Sequence, residues 1–312
     1  MSLSSLSNET AGTNAAAEPA TPSGDAPTWL QEIFPAGGRN GFYEKSHDHA
    51  LAFVERSRRQ LVVSFDNLSD AGNPNYDVEP WAGKFVHDQG WSHLGVFARG
   101  PTWYRDMWLI DQFARLAESG FFRRFERVAL IGTSMGGFGA LAFSEFAPGA
   151  TVVALSPQST LEDSIVPWDK RFAKGRVQDW SLPCSDAAIS AEHAGRIFAL
   201  YDPAVEHDLR HVDRLPQDRL VRLKGFWFGH KSAVVLRRID QLKPFMTAAI
   251  TGTLTEPMFY RMIRGRRNLL IYRRAVEAEL DRRGQTERME RFRTAFRRRR
   301  LEQKAKSTEQ GE

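Results

Sequence analysis

Residues 127–146 read RVALIGTSMGGFGALAFSEF. The opening run, RVALIG, is short and continuously apolar, which is typical of a strand buried on both faces of a parallel sheet. The stretch from 137 to 146 has the character of a buried helix. The residues in between, 132–136, are mostly small and contain two glycines. The sequence therefore predicts a strand that passes through a tight bend into a helix, with Ser134 on the bend.

The bend carries the pattern G-x-S-x-G, formed by Gly132, Ser134 and Gly136. On a bend this sharp, side chains at the two glycine positions would collide with the neighbouring strand and helix. Short motifs also arise by chance, and an ordinary strand-to-helix turn could use the same residues. The strand before the motif and the helix after it favour a serine presented above the sheet edge as a nucleophile.

Five further runs share the apolar, β-rich character of 127–132. They are 60–65 (QLVVSF), 93–98 (HLGVFA), 151–156 (TVVALS), 196–201 (RIFALY) and 219–228 (RLVRLKGFWF). Segments of helical character, such as 105–119 and 137–146, lie between them. This alternation predicts an α/β fold with a doubly wound, mostly parallel sheet and helices on both faces.

The chain has 312 residues, of which 42% are hydrophobic, and this suffices for a large core. Residues 1–27 are poor in large apolar side chains and predict a disordered leader. We expect one main domain over 28–255, within which 158–192 could form a lid, followed by a basic helical C-terminal extension over 256–312.

Residues 251–312 hold 17 Lys and Arg against nine Asp and Glu. The net charge of +5 therefore belongs to the extension, and nucleic-acid binding by the main domain is not favoured.

The single cysteine, Cys184, cannot form an internal disulfide, and the sequence has neither a secretory signal nor an apolar run long enough to span a membrane. We expect a cytoplasmic protein. Ligand spacing for a metal site is lacking around Cys184, and a cofactor is not called for. The oligomeric state is left open.

A serine hydroxyl needs a base, and the base should lie on another loop at the same edge of the sheet. His230 follows the last predicted strand in FWFGHKSAV, so its loop opens at the carboxyl edge where Ser134 is expected. A carboxylate should orient the imidazole. Asp202 directly follows RIFALY and is preferred, with Asp208 as the alternative; either could instead cap a helix.

The oxyanion of an acyl-transfer intermediate would be bound by backbone N–H groups of the residue after the nucleophile, Met135, and of a loop after an earlier strand. Asn67 follows QLVVSF and is the candidate, although an ordinary turn stabilised by its side chain explains the same residues. Trp103 and Arg105 follow HLGVFA and could line a substrate pocket or belong to the core.

Over residues 58–250 the chain resembles the α/β-hydrolase superfamily through GTSMGG, the acid after LY, and the GH before the final helix. SMGGFGALAFS together with ALSPQ (154–158) is similar to bacterial esterases and carbohydrate O-acyltransferases. The resemblance implies a hydrolase that cleaves an ester of a small molecule or carbohydrate through an acyl-Ser134 intermediate. An acyltransferase to a carbohydrate hydroxyl, and a non-catalytic scaffold that binds a partner through the basic C-terminal helix, are the alternatives. The sequence departs from the lipase pattern in lacking H-G-G-G near Phe65.

Overall fold

The computed structural model describes residues 26–72 and 77–309, the last seven by their backbone alone. Its centre is a single sheet in the order β1-β2-β4-β3-β5-β6-β7-β8. The strands are β1 (Gly41–Lys45), β2 (His49–Val54), β3 (Leu61–Phe65), β4 (Ser92–Ala98), β5 (Val128–Thr133), β6 (Thr151–Leu155), β7 (Arg196–Tyr201) and β8 (Leu220–Lys224). β2 runs antiparallel to β1 and β4, and the pairs from β4 to β8 are parallel. The predicted doubly wound, mostly parallel sheet is confirmed.

The six predicted strands correspond to β3 through β8, and β1 and β2 were not predicted. These two strands form a hairpin without a helix between them, so the alternation of strand and helix that reveals the others is absent there. The predicted last strand, 219–228, is too long, because β8 ends at Lys224. Gly225 then begins a turn in which the N–H of Phe228 donates to the carbonyl of Gly225 at 3.1 Å.

The helices of the described chain cover both faces of the sheet. They are α1 (Thr28–Glu32), α2 (Gly83–Asp88), α3 (Met107–Glu118), α4 (Met135–Ala142), α5 (Ala173–Arg176), α6 (Ala187–Ser190), α7 (Glu206–Asp213), α8 (Ser232–Arg238), α9 (Leu242–Ile250), α10 (Glu256–Met262), α11 (Leu270–Arg282) and α12 (Thr286–Glu309). Within that part of the chain, no helix is both long and apolar enough to cross a membrane.

The two largest hydrophobic cores of the described residues lie on opposite faces of the sheet, and successive residues of one strand enter different cores. In β5, Leu130 belongs to one core, whereas Ala129 and Ile131 belong to the other. A strand buried on both faces must be apolar at every position, which is the origin of the continuous apolar runs in the sequence.

The first residues of the predicted C-terminal extension pack against the sheet. Phe259 of α10 and Ile263 are fully buried in the same core as strand residues of β5 and β6. Farther along, α11 and α12 pack on each other, with the rings of Tyr272 and Phe292 6.2 Å apart. The predicted disordered leader lies almost wholly outside the described residues.

Candidate active site

The bend between β5 and α4 holds Ser134 in a backbone conformation that L-residues rarely adopt, with φ 52° and ψ −115°. The two motif glycines make the bend possible. A Cβ atom on Gly132 would overlap the backbone of Gly136, and one on Gly136 would overlap the carbonyl groups at the end of β3. The steric role expected of these glycines therefore corresponds to specific backbone contacts. Strain of this kind persists only where the surroundings enforce it, and it is common at functional sites.

His230 meets the serine at this edge: its Nε2 atom lies 2.9 Å from Oγ of Ser134. The imidazole is carried by the loop between β8 and α8. Gly229, with φ +65°, turns this loop, and its N–H donates to Oδ2 of Asp202 at 2.8 Å. The predicted pair of serine and histidine is thus brought within hydrogen-bonding distance across 96 residues of sequence.

The carboxylate next to the imidazole is Asp208, and the preference for Asp202 is corrected by the structure. Nδ1 of His230 lies 3.0 Å and 2.9 Å from the two carboxylate oxygens of Asp208, whose side chain is fully buried. Asp202 instead accepts hydrogen bonds from the backbone N–H groups of Ala204, at 3.0 Å, and Gly229. The prediction relied on proximity to the strand end, but Asp208, in the first turn of α7, is the carboxylate that reaches His230.

The amide of Gln158 also faces the nucleophile and was not singled out from the sequence. Gln158 is fully buried beyond the end of β6, and its Nε2 lies 3.5 Å from Oγ of Ser134. The indole N–H of Trp103 donates to Oε1 at 3.2 Å, and since an indole can only donate, the amide nitrogen must point toward the serine. A polar residue just beyond a strand that neighbours the bend was the available signal.

Neither of the predicted pocket residues is open to a substrate. Trp103 is 1% exposed and fixes Gln158 from the core. The guanidinium of Arg105 is buried and donates to the carbonyl oxygens of Leu182 at 2.7 Å, Pro183 at 2.6 Å and Cys184 at 3.0 Å. The expectation that they line a pocket is therefore corrected, since Arg105 ties segment 158–192 to the domain.

The two predicted oxyanion donors occupy different surroundings. Met135 is buried and is the first residue of α4, so its N–H lies at a helix N-terminus, where negative charge is favoured. The side chain of Asn67 is engaged in its own loop, where Oδ1 accepts from the N–H of Ser69 at 2.8 Å and the amide group donates to Asp70. This is the turn that the alternative interpretation described. The backbone N–H of Asn67 as an oxyanion donor stays a prediction.

Asp66, at the end of β3 beside this loop, is an unusual carboxyl. It is 4% exposed and accepts hydrogen bonds from the backbone N–H groups of Trp81 at 3.2 Å and Ala98 at 3.3 Å. Burial raises the pKa of Asp66 to about 7, against the opposing effect of these hydrogen bonds. The hydroxyl of Tyr104 donates to the Asp66 carbonyl oxygen. These contacts anchor the strand end that packs against Gly136.

Taken together, the site provides a hydroxyl, an imidazole and a buried carboxylate in one hydrogen-bonded series, next to a helix N-terminus. Within residues 26–72 and 77–309, no group of three or more His, Cys, Asp or Glu side chains is placed to hold a metal ion. Ser134 and His230 are both partly accessible at the surface. The arrangement can transfer a proton from the hydroxyl to the imidazole and can stabilise the resulting imidazolium.

Comparison with models of known families gave no match, and comparison with curated proteins gave none either. Among solved structures, the chain is similar to the capsule O-acetyltransferase of Neisseria meningitidis serogroup A, with 14% identity, TM-score 0.45, and coverage of 67% of this chain and 93% of that one. It is also similar to FphF, a fluorophosphonate-binding serine hydrolase of Staphylococcus aureus, with 13% identity, TM-score 0.43, and coverage of 70% and 100%. A third is carboxyl esterase 2 of Tuber melanosporum, with 14% identity, TM-score 0.42, and coverage of 73% and 87%. The strand order and the strand–bend–helix unit at Ser134 are those of a fold of the α/β-hydrolase type.

Proposed function

We propose that the protein is a serine acyl hydrolase that cleaves an ester through an acyl-Ser134 intermediate. The observation that carries this proposal is the unbroken series from Oγ of Ser134 to Nε2 of His230 and from Nδ1 of His230 to Asp208, with all distances between 2.9 and 3.0 Å. A hydroxyl merely placed on a turn would not need an imidazole whose other nitrogen is bound by a buried carboxylate.

In the acylation step, Oγ of Ser134 attacks the ester carbonyl carbon and its proton passes to Nε2 of His230. The tetrahedral intermediate places its negative oxygen near the N-terminus of α4, where the N–H of Met135 and, by our prediction, that of Asn67 would donate to it. Collapse breaks the bond to the alcohol, which takes the proton from the imidazolium. The serine is left acylated.

In the deacylation step, His230 takes a proton from water as the water oxygen attacks the acyl carbon. The bond from that carbon to Oγ of Ser134 then breaks, the acid leaves, and the imidazolium returns the proton to Oγ. Asp208 stays ionised throughout and stabilises the imidazolium in both steps. A carbohydrate hydroxyl could replace water in the same step, which would make the protein an O-acyltransferase.

The test is the rate of hydrolysis of p-nitrophenyl acetate by the full chain. Ser134→Ala and His230→Ala should each lower kcat by about 10⁶-fold, because these two groups act as a unit. Ser164→Ala is the matched control, because it also removes a serine hydroxyl, and that hydroxyl donates to Glu162 within segment 158–192. A hydrolysis rate that survives both active-site substitutions would overturn the proposal. Addition of sugar acceptors distinguishes the transferase, which would divert the acyl group from water.

A further inference from the structure

Arg171, within segment 158–192, bonds both Asp208, the carboxylate next to His230, and a second buried carboxylate, Asp169. Its Nη1 donates to Oδ1 of Asp208 at 2.8 Å. On its other side, Nε and Nη2 donate to the two oxygens of Asp169 at 3.0 and 2.8 Å. The contact with Asp169 is bidentate, which fixes the plane of the guanidinium as well as its position.

Asp169 is itself held by a buried series of hydrogen bonds. Nε2 of His211 lies 2.9 Å from Oδ2 of Asp169, and Nδ1 of His211 lies 2.9 Å from Oγ of Ser159. The backbone N–H of Ser159 also donates to Nδ1, at 3.1 Å, so the ring proton must be on Nε2 and point at Asp169. Burial lowers the pKa of His211, which keeps this ring neutral.

The second series, formed by Ser159, His211 and Asp169, has the same residue types as the first. A substrate cannot reach it. Ser159 is 1% exposed, and Asp169 and His211 are fully buried. Burial alone would raise the pKa of Asp169, yet the hydrogen bonds from His211 and Arg171 hold that pKa well below its usual range. Asp169 is therefore a fixed negative charge that anchors Arg171.

We propose that Arg171 is a positioning residue that acts on His230 through Asp208, an inference that rests on the proposed function. Oδ1 of Asp208 is shared between Arg171 and Nδ1 of His230, so the guanidinium restricts the carboxylate to the orientation that serves the imidazole. The positive charge of Arg171 also offsets part of the negative charge with which Asp208 stabilises the imidazolium. Segment 158–192 thereby fixes the orientation of the imidazole that acts as the base.

Other charges around His230 act on it less directly. Asp169 lies behind Arg171, and Asp202 accepts from the N–H of Gly229. Arg266 donates to the carbonyl of Phe226 at 3.2 Å, and Lys231 is the exposed next residue in the chain. The substitutions below leave all four of these groups in place.

The experiment compares Arg171→Met, Arg171→Lys and the control Lys170→Met in the full chain. Lys170 is the neighbouring cation, but it contacts the exposed Asp163 at 3.4 Å and not the series. We measure kcat and KM for p-nitrophenyl acetate across pH, and fluorophosphonate labelling of the wild type reports the proposed function separately.

Arg171→Met should lower kcat by about 10- to 100-fold with little change in KM, because a misplaced catalytic group loses this much. It should also move the acidic limb of the kcat/KM profile to higher pH, because the imidazolium would then face a carboxylate whose charge Arg171 no longer offsets. Arg171→Lys keeps the charge without the bidentate geometry, so kcat should fall while the limb stays in place. Lys170→Met should resemble the wild type.

If both Arg171 variants keep the wild-type kcat and the wild-type acidic limb of the kcat/KM profile, the positioning role is wrong. The proposed function would not be affected by that result. If Arg171→Met does not fold, the kcat of Arg171→Lys decides alone, and a wild-type value rejects the inference. A folded wild type that is not labelled rejects the proposed function and this inference together.

Discussion

Nδ1 of His230 lies 2.9 Å from Oδ2 of Asp208, while Asp202, six residues earlier, holds the backbone of the same histidine loop through Gly229. One carboxylate thus faces the imidazole and the other supports the loop that carries it. Both are buried, so burial alone does not tell their roles apart.

The two carboxylates should respond differently to the same substitution. Asp208→Asn should lower kcat by about 10⁴-fold, because an amide cannot stabilise the imidazolium or fix its tautomer. Asp202→Asn removes an acceptor from the Gly229 N–H and should act mainly on stability, with a much smaller loss of kcat. Steady-state kinetics and thermal unfolding of both variants provide the check. Equal losses of kcat would contradict the assignment.

Gln158 should contribute to the rate through its amide donor. Gln158→Met keeps the bulk and removes the donor, and we expect kcat to fall by about three- to tenfold, the effect of one neutral hydrogen bond. Gln158→Glu should cost more, because it places an acceptor and a negative charge beside the attacking Oγ of Ser134 in place of a donor. Gln178→Met is the matched control, since that amide bonds the Lys174 carbonyl away from the site. Equal rates for Gln158→Met and Gln178→Met would show that the amide is not used.

Gly136 should tolerate no side chain. Its Cβ would overlap the carbonyl of Phe65, whereas a Cβ on Gly100 would meet nothing within 4 Å. Gly136→Ala should lower the free energy of unfolding by about 1–3 kcal/mol or more, the usual cost of overpacking, and should displace Ser134. Gly100→Ala should be nearly neutral. Chemical denaturation of both variants tests this, and an unchanged midpoint for Gly136→Ala would contradict the close approach of α4 to β3.

Asp66 should make stability fall as the pH rises. Its pKa is about 7 in the folded chain and about 4 in the unfolded one, so between these values the folded state binds the additional proton. Asp66→Asn cannot ionise. The difference in unfolding free energy, wild type minus variant, should therefore decrease by about 2–3 kcal/mol between pH 5 and 7 and stay level above pH 8. Denaturation of the two proteins at a series of pH values measures it. A difference that does not change with pH would show that Asp66 is ionised throughout.

Much of the fold could be predicted because strands buried on both faces leave continuous apolar runs in the sequence. β3 through β8 were found in this way, while the β1–β2 hairpin lacks the flanking helices that mark the others. Ser134 and His230 were predictable because the glycine bend and the end of the last strand define their places at one sheet edge. The contacts of the other site residues depend on how α7 and segment 158–192 pack near that edge; these residues are Asp208, Gln158 and Arg171. Distance along the chain does not show how these segments pack, so Asp208 was predicted only as the alternative acid, and Gln158 and Arg171 were not predicted.

The central claim is that His230 activates the hydroxyl of Ser134. The most direct measurement is mass spectrometry of the folded full chain after reaction with a fluorophosphonate, which modifies only an activated serine. We expect one adduct, on the peptide that contains Ser134, and none in His230→Ala under the same conditions. A folded wild type that remains unmodified at Ser134, or a His230→Ala variant modified at the wild-type rate, would contradict the account.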